Sequence, residues 1–215
     1  MDAVIDSLPT YIKGFVGTLE LLALSGVGAL VLGTVVAAMR ISPIASLRGF
    51  ALVYTEILRN IPLLLVLFFC AVVLPYLKVP LDYFPLAVIG LTLYTSPFVA
   101  EAIRSGVNGV PVGQAEAARS IGLRFGQTLS LVVMPQAIRM VIPPLINVFI
   151  ALVKNTSVAG AFFVYELFKA ANDITNLRGD AVIALLLGVA FFYLIITVPL
   201  GLIAGWVERK VRVLR

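Results

Sequence analysis

The sequence predicts an all-α integral membrane protein that crosses the bilayer five times, with its N-terminus outside and its C-terminus inside. Three observations predict it. Of the 215 residues, 61% are apolar and 13% charged, with a mean hydropathy of +1.08, against roughly 45–50% and about 25% in a typical soluble domain. The apolar residues gather into five runs of the ~20 residues that a hydrocarbon core of ~30 Å requires. The cations, finally, fall unequally on alternate connections.

The first thirteen residues carry Asp2, Asp6 and Pro9 where a cleaved signal peptide would have a basic start, so the N-terminus is expected to be retained. Spans are expected at about 14–39, 54–77, 86–105, 138–158 and 181–206, within a single transmembrane domain over 1–215. With the N-terminus outside, the inner connections receive Arg40, Arg48, Arg59, Arg104, Arg119, Arg124, Arg139, Arg209, Lys210, Arg212 and Arg215. The outer side keeps Lys13, Lys78, Lys154, Lys169 and Arg178 beside Asp2, Asp6, Asp82, Glu166, Asp173 and Asp180. Eleven inner cations against five outer ones set the orientation by the positive-inside rule. Trp206, before Glu208-Arg209-Lys210, suits an anchor at the inner headgroups. The outer segment at about 159–180 mixes aromatic and charged residues and reads as a short amphipathic helix in the interface.

Composition excludes several chemistries. The net charge of +5 and pI near 9.6 would raise nucleic acid for a soluble chain, but here the cations lie singly or in small clusters between apolar runs, which fits membrane orientation instead. There is no histidine, and the one cysteine, Cys70, sits in an apolar stretch, so disulfide frameworks, His/Cys metal sites and histidine-based catalysis are excluded. No GxxxxGK[ST] loop occurs, so ATP-driven work requires a partner, and the chain itself is not expected to be an enzyme.

Small residues recur every four positions at Ser25, Ala29, Gly33 and Ala37, and again at Gly201 and Gly205. Such stripes let backbones approach closely in lipid, either within the subunit or between subunits. Pro62, Pro97, Pro143 and Pro144 each remove a backbone bond, which membrane helices tolerate where a neighbour or a watery cavity satisfies the freed carbonyl.

Polar residues at depth mark candidate sites. Glu101 and Arg104 share a face of the third span, just past Tyr94, Thr95, Ser96 and Pro97. In the fourth span Pro144, Asn147, Ala151 and Lys154 share a face, followed by Asn155, Thr156 and Ser157. Two readings stand for each group. Glu101 and Arg104 form a mutual ion pair, or Glu101 faces a solute ammonium. Lys154 snorkels to the outer interface, or it faces a solute carboxylate. On the solute reading Glu101, Lys154, Asn155, Thr156 and Ser157 make contact, with Tyr94, Ser96 and Asn147 lining the path. Glu56 and Arg59, three apart at the start of the second span, read as a helix-start ion pair or as groups at the inner mouth.

The segment at about 106–137 is the longest inner connection. Within it Glu116-Ala117-Ala118 is followed after three residues by Gly122 and after nine more by Val132-Val133-Met134-Pro135. Ala117, Ile121 and Phe125 form an apolar stripe, Glu116 lies toward the positive N-terminal end of a short helix, and Gly122 permits a turn. A rigid helix of this kind at a membrane face can lodge in a groove of another protein.

This spacing matches the EAA pattern of ABC-importer permeases, with Val132 and Met134 replacing isoleucine and leucine. Glu56-Ile57-Leu58-Arg59-Asn60-Ile61-Pro62, Ala100-Glu101-Ala102-Ile103-Arg104-Ser105-Gly106, Pro135-Gln136-Ala137 and Lys154-Asn155-Thr156-Ser157 extend the resemblance to the polar amino-acid permeases. Tyr94-Thr95-Ser96 with Phe98-Val99-Ala100-Glu101, and Gly113-Gln114, resemble in particular the glutamate-uptake permeases of actinobacteria. The resemblance implies a type I importer fold in the cytoplasmic membrane and a cytosolic EAA coupling helix containing Glu116, Ala117, Ala118, Arg119, Ile121, Gly122 and Phe125. It implies a second permease, identical or a sister, and two cytosolic ATPase subunits that hold ATP and magnesium. An extracytoplasmic amino-acid-binding protein and a solute site near Glu101 and residues 154–157 complete the expectation. Glutamate is the expected solute, with glutamine or aspartate next. The alternatives are a permease for basic or other polar amino acids, an ion-coupled carrier with Glu101 as its cation site, and a membrane scaffold whose inner loop recruits cytosolic proteins.

Overall fold

A computed structural model describes residues 2–212, all helices and short connections. A turn of helix, α1 (Asp2–Asp6), leads into α2 (Leu8–Ile41). Next come α3 (Ala45–Asn60), α4 (Leu63–Phe68), continued through a wide turn at Phe69–Val73 into α5 (Leu74–Tyr76), and α6 (Tyr83–Asn108). The short α7 (Val112–Ser120) and α8 (Phe125–Gln127) precede a second wide turn at Thr128–Val133 and then α9 (Met134–Ala159). The chain ends with α10 (Leu167–Leu177) and α11 (Val182–Arg212). Arg215, counted above among the inner cations, lies outside the described residues.

Among the described residues, four helical stretches are long and apolar enough to cross a membrane: Leu8–Ile41, Tyr83–Asn108, Phe125–Phe162 and Gly179–Lys210. A further pair, Ala45–Asn60 with Leu63–Tyr76, is apolar enough only when its two bent helices are taken together. The continuous helix expected at 54–77 is two helices that meet at 100°. The break lies at Ile61 and Pro62, both with extended backbone, because the ring of Pro62 disfavours helical geometry at the residue before it and supplies no N–H. Helix α3 is therefore a separate element, and Glu56 and Arg59 sit near its end rather than at the start of a span. The fourth crossing also begins earlier than expected: residues 125–137, read as loop, are already helical, so the connection reduces to α7 and its flanks.

Directions follow from contacts. Thr92 Oγ1 donates to the Ser25 carbonyl, a Cβ on Gly33 would meet Ser96 and Val99, and Arg40 reaches Glu101, so α2 and α6 run parallel. Gly106 lies against Val141, and Gly26 against Phe149, so α9 runs the other way. Tyr11 Oη donates to the Leu185 carbonyl at 2.8 Å, placing the start of α11 beside the start of α2. One end of the bundle thus collects Arg40, Arg48, Arg104 and Arg139 with α7; the other carries α10.

The small-residue stripe works within the chain. Ser25, Ala29, Gly33 and Ala37 are all buried, and a Cβ on Gly33 would stand 2.6 Å from Val99 Cβ and 2.7 Å from the Ser96 carbonyl. Only glycine lets the two backbones come this close. Gly201 has nothing within 4 Å of such an atom, and Leu202, Ile203 and Trp206 beside it are exposed, so the far half of α11 presents its surface outward. The segment read as an interfacial helix is amphipathic, but Leu167, Ala170, Ala171 and Ile174 of α10 are buried against protein. Its apolar face covers the starts of α2 and α11.

Candidate functional site

Two helices with interior prolines frame a cavity of about 410 Å³. Tyr94, Thr95 and Phe98 of α6 line one side; Asn147, Val148, Ala151 and Asn155 of α9 line the other. Asn147, Ala151 and Asn155 recur at four-residue spacing and so present one face. Pro97 lies inside α6, and Pro143 and Pro144 inside α9. The absent Pro97 N–H frees the Leu93 carbonyl, which accepts from Ser96 Oγ at 3.1 Å. The helix therefore stays continuous through its proline.

Burial decides what each polar group can do. Thr95, a lining residue, is 4% exposed, and its Oγ1 is buried with no hydrogen-bond partner among the described residues. A buried hydroxyl left unpaired costs about 1–3 kcal/mol. Ser96 points elsewhere: fully buried, it spends its own proton on Leu93, so Tyr54 Oη donates to Ser96 Oγ across 2.7 Å. Thr156 is buried, and its hydroxyl returns to the Val153 carbonyl; the Ser157 hydroxyl returns to the Lys154 carbonyl.

Neither Glu101 nor Lys154 lines this cavity. Glu101 Oε1 accepts from Arg40 Nη2 at 3.0 Å, and Oε2 accepts from Arg104 Nε at 3.1 Å and Nη2 at 2.7 Å. Its charge is answered twice within the protein. Lys154 is exposed. Of the eight expected solute contacts, the structure brings Tyr94, Asn147 and Asn155 together around the cavity. It adds Thr95, the neighbour of Tyr94 and Ser96 in sequence. The part of Arg40 comes from no local motif, since 61 positions separate it from Glu101.

At the inner-mouth positions, Glu56 and Arg59 are exposed and form no ion pair with one another among the described residues. Arg59 instead lies over the Phe98 ring, 5.8 Å from its centroid, a cation–π contact on the wall of the cavity.

The segment with EAA spacing forms α7. The helix ends at Ser120, so the apolar stripe expected along it is split: Ile121 is the C-cap and Phe125 begins α8. Both are exposed, at 79% and 76%, whereas Ala118 is buried. Gly122 takes a φ of +90°, the left-handed geometry that lets the chain reverse after the helix. Glu116 departs from expectation: the helix starts at Val112, so Glu116 stands in its second turn, beyond the strongest reach of the N-terminal dipole.

At the opposite end Glu166 is fully buried and caps α10, accepting from Phe168 N at 2.8 Å, Lys169 N at 2.7 Å and Tyr193 Oη at 3.0 Å. Burial raises its pKa from the ordinary 4.5 to about 7, with the three donors pulling it partly back. On the adjoining residue, Leu167 N donates to Thr18 Oγ1 of α2 at 3.1 Å, so α2, α10 and α11 meet around this carboxyl.

Comparison with known proteins bears on the family and the fold. Residues 29–213 match the family described as binding-protein-dependent transport system inner membrane component. The chain is 40% identical over 205 residues to the probable glutamine ABC transporter permease protein GlnM of Bacillus subtilis, covering 95% of this chain and 94% of that one. It is 38% identical over 218 residues to the glutamate transport system permease protein GluC of Corynebacterium efficiens, covering 95% of each. A solved structure of an amino acid ABC transporter with histidines superposes with a TM-score of 0.88 at 29% identity over 96% of both chains. The fold is that of type I ABC importer permeases, and the chain belongs to the family of binding-protein-dependent transport system inner membrane components.

Proposed function

We propose that this chain is the membrane-spanning subunit of an ATP-driven amino-acid importer of the cytoplasmic membrane, and that solute passes the cavity between α6 and α9. The observation that carries the reading is the uncharged polar lining of that cavity, Tyr94 and Thr95 on one side and Asn147 and Asn155 on the other. These groups donate and accept hydrogen bonds without charge, which suits an amide side chain. Glutamine therefore stands ahead of glutamate, whose expected counter-ion, Lys154, is not among the lining residues. The named relatives, a probable glutamine permease and a glutamate permease, support a polar amino acid of this size.

Transport is by alternating access. The arginine-rich end faces the cytosol, with N-terminus out and C-terminus in, and α7 is the coupling helix. Two separate ATPase subunits, which hold ATP and magnesium, grip Ala117 and Arg119 of α7 together with Ile121 and Phe125 just beyond it. A second permease completes the path, and an extracytoplasmic binding protein delivers the solute. Glu101, bound between Arg40 and Arg104, acts as a brace joining α2 to α6 rather than as a solute ligand. The experiment is ATP hydrolysis by the assembled complex with its cognate binding protein, challenged with glutamine, glutamate, aspartate and arginine. Stimulation by glutamine above glutamate is expected; stimulation by arginine alone overturns the solute assignment.

A further inference from the structure

A second cavity, of about 560 Å³, opens at the arginine-rich end, between the end of α2, the start of α3 and the end of α6. Three arginines line it, Arg40, Arg48 and Arg104, with Asn108 beside them. Their internal partners do not exhaust them. Arg40 spends two donors on Thr55 and Glu101, Arg104 two on Glu101, and Arg48 Nη1 bonds the Ser42 and Pro43 carbonyls. Each guanidinium has five N–H donors, so donors remain on all three, and the carboxylate of Glu101 pairs with Arg40 and Arg104 but not with Arg48.

The remaining wall is apolar. Ile41 and Leu52 border the cavity and are about half exposed, and Phe50, Val53 and Ile57 continue an outward apolar surface along α3. Arginine pairs bidentately with phosphate oxygens, and basic pockets between spans on the inner side hold lipid headgroups. A free inorganic anion uses only the cations; a phospholipid uses the cations and the apolar rim together.

We infer that the pocket formed by Arg40, Arg48 and Arg104 binds a phosphate-bearing anion, the headgroup of an anionic phospholipid, with its acyl chains against Ile41 and Leu52. The site is distinct from the solute cavity and depends neither on the solute nor on the ATPase partners.

The test uses the full chain, with whatever subunits co-purify, in nanodiscs of phosphatidylcholine with or without phosphatidylglycerol, reading retained lipid by native mass spectrometry and affinity by titration of fluorescent phosphatidylglycerol. Gly49 borders the pocket, and a Cβ added there would have nothing within 4 Å, so Gly49→Glu places a negative charge at the rim without a clash, and Gly49→Gln is its uncharged control. Preferential retention of phosphatidylglycerol is expected, weakened roughly fivefold by Gly49→Glu and unchanged by Gly49→Gln. Arg48→Gln gives the same loss independently should Gly49→Glu fail to assemble. Equal retention of both lipids, or wild-type affinity in both Gly49→Glu and Arg48→Gln, overturns the site. Displacement of the lipid by millimolar inorganic phosphate or glycerol phosphate overturns the lipid as its source in favour of a soluble phosphate.

Discussion

Arg40 and Glu101, 61 positions apart, meet across 3.0 Å where the last turn of α2 reaches the C-terminal part of α6. Their side chains are 13% and 18% exposed, and Arg104, at 36%, holds the second carboxylate oxygen. A pair so enclosed is costly to break from one side, because the survivor keeps its charge without its partner.

Glu101→Gln is accordingly expected to destabilise the protein by about 2–3 kcal/mol, less than a fully buried pair would lose, and to lower the apparent melting temperature by several degrees. Arg104→Gln, at the more exposed side, is expected to cost under about 1 kcal/mol. Thermal melts of the purified complex check both, and equal effects would contradict the brace.

The close approach of α2 and α6 predicts a contrast between glycines. Gly33→Ala forces a Cβ against the Ser96 carbonyl and Val99 and is expected to cost roughly 1–3 kcal/mol. Gly201→Ala, in open space, is expected to be neutral or slightly stabilising. Expression level and melting temperature of the two variants measure the difference.

Glu166 predicts a pH dependence. Its folded pKa is raised from 4.5 to about 7, so between those values the folded state binds the proton that the unfolded state has released. Stability from this group is complete below about pH 4.5, falls as pH rises through about 7 and is flat above it, a change on the order of 3 kcal/mol. Melting curves between pH 5 and 8 should show the fall, and Glu166→Gln should flatten it.

The segment from α7 to the start of α8 predicts a separation of function from stability. Ile121→Asp and Phe125→Ala alter side chains that touch little of this chain, so the melting temperature is expected to hold. ATP-driven uptake is expected to drop at least roughly tenfold, the effect of losing an apolar anchor at an interface.

The broad architecture is legible in the sequence because it rests on local patterns. Apolar runs of spanning length mark the crossings, and the spacing from Glu116 to Pro135 marks α7 with its Gly122 turn. What escapes such patterns depends on tertiary contacts. The break at Ile61-Pro62 turns an expected single span into two helices, since a proline before an apolar run reads equally as a kink or as a helix start. Glu101 has only Arg104 as a visible neighbour in sequence, and Arg40 arrives through packing of the Gly33 stripe. Of one helix face, Asn147, Ala151 and Asn155 reach the cavity, while Thr156 turns inward to bond the Val153 carbonyl. Position within a motif does not show which hydroxyl, Thr95 or Ser96, remains without a partner among the described residues.

The most direct test of the solute path is uptake of labelled glutamine into proteoliposomes holding the permease, its ATPase subunits and the cognate binding protein, compared between wild type and Asn155→Leu. Uptake is predicted to require ATP and the ATPase subunits, and to fall at least roughly tenfold in the variant without loss of assembly. Uptake that continues without the ATPase and collapses with an uncoupler, or that is untouched by Asn155→Leu, would contradict it.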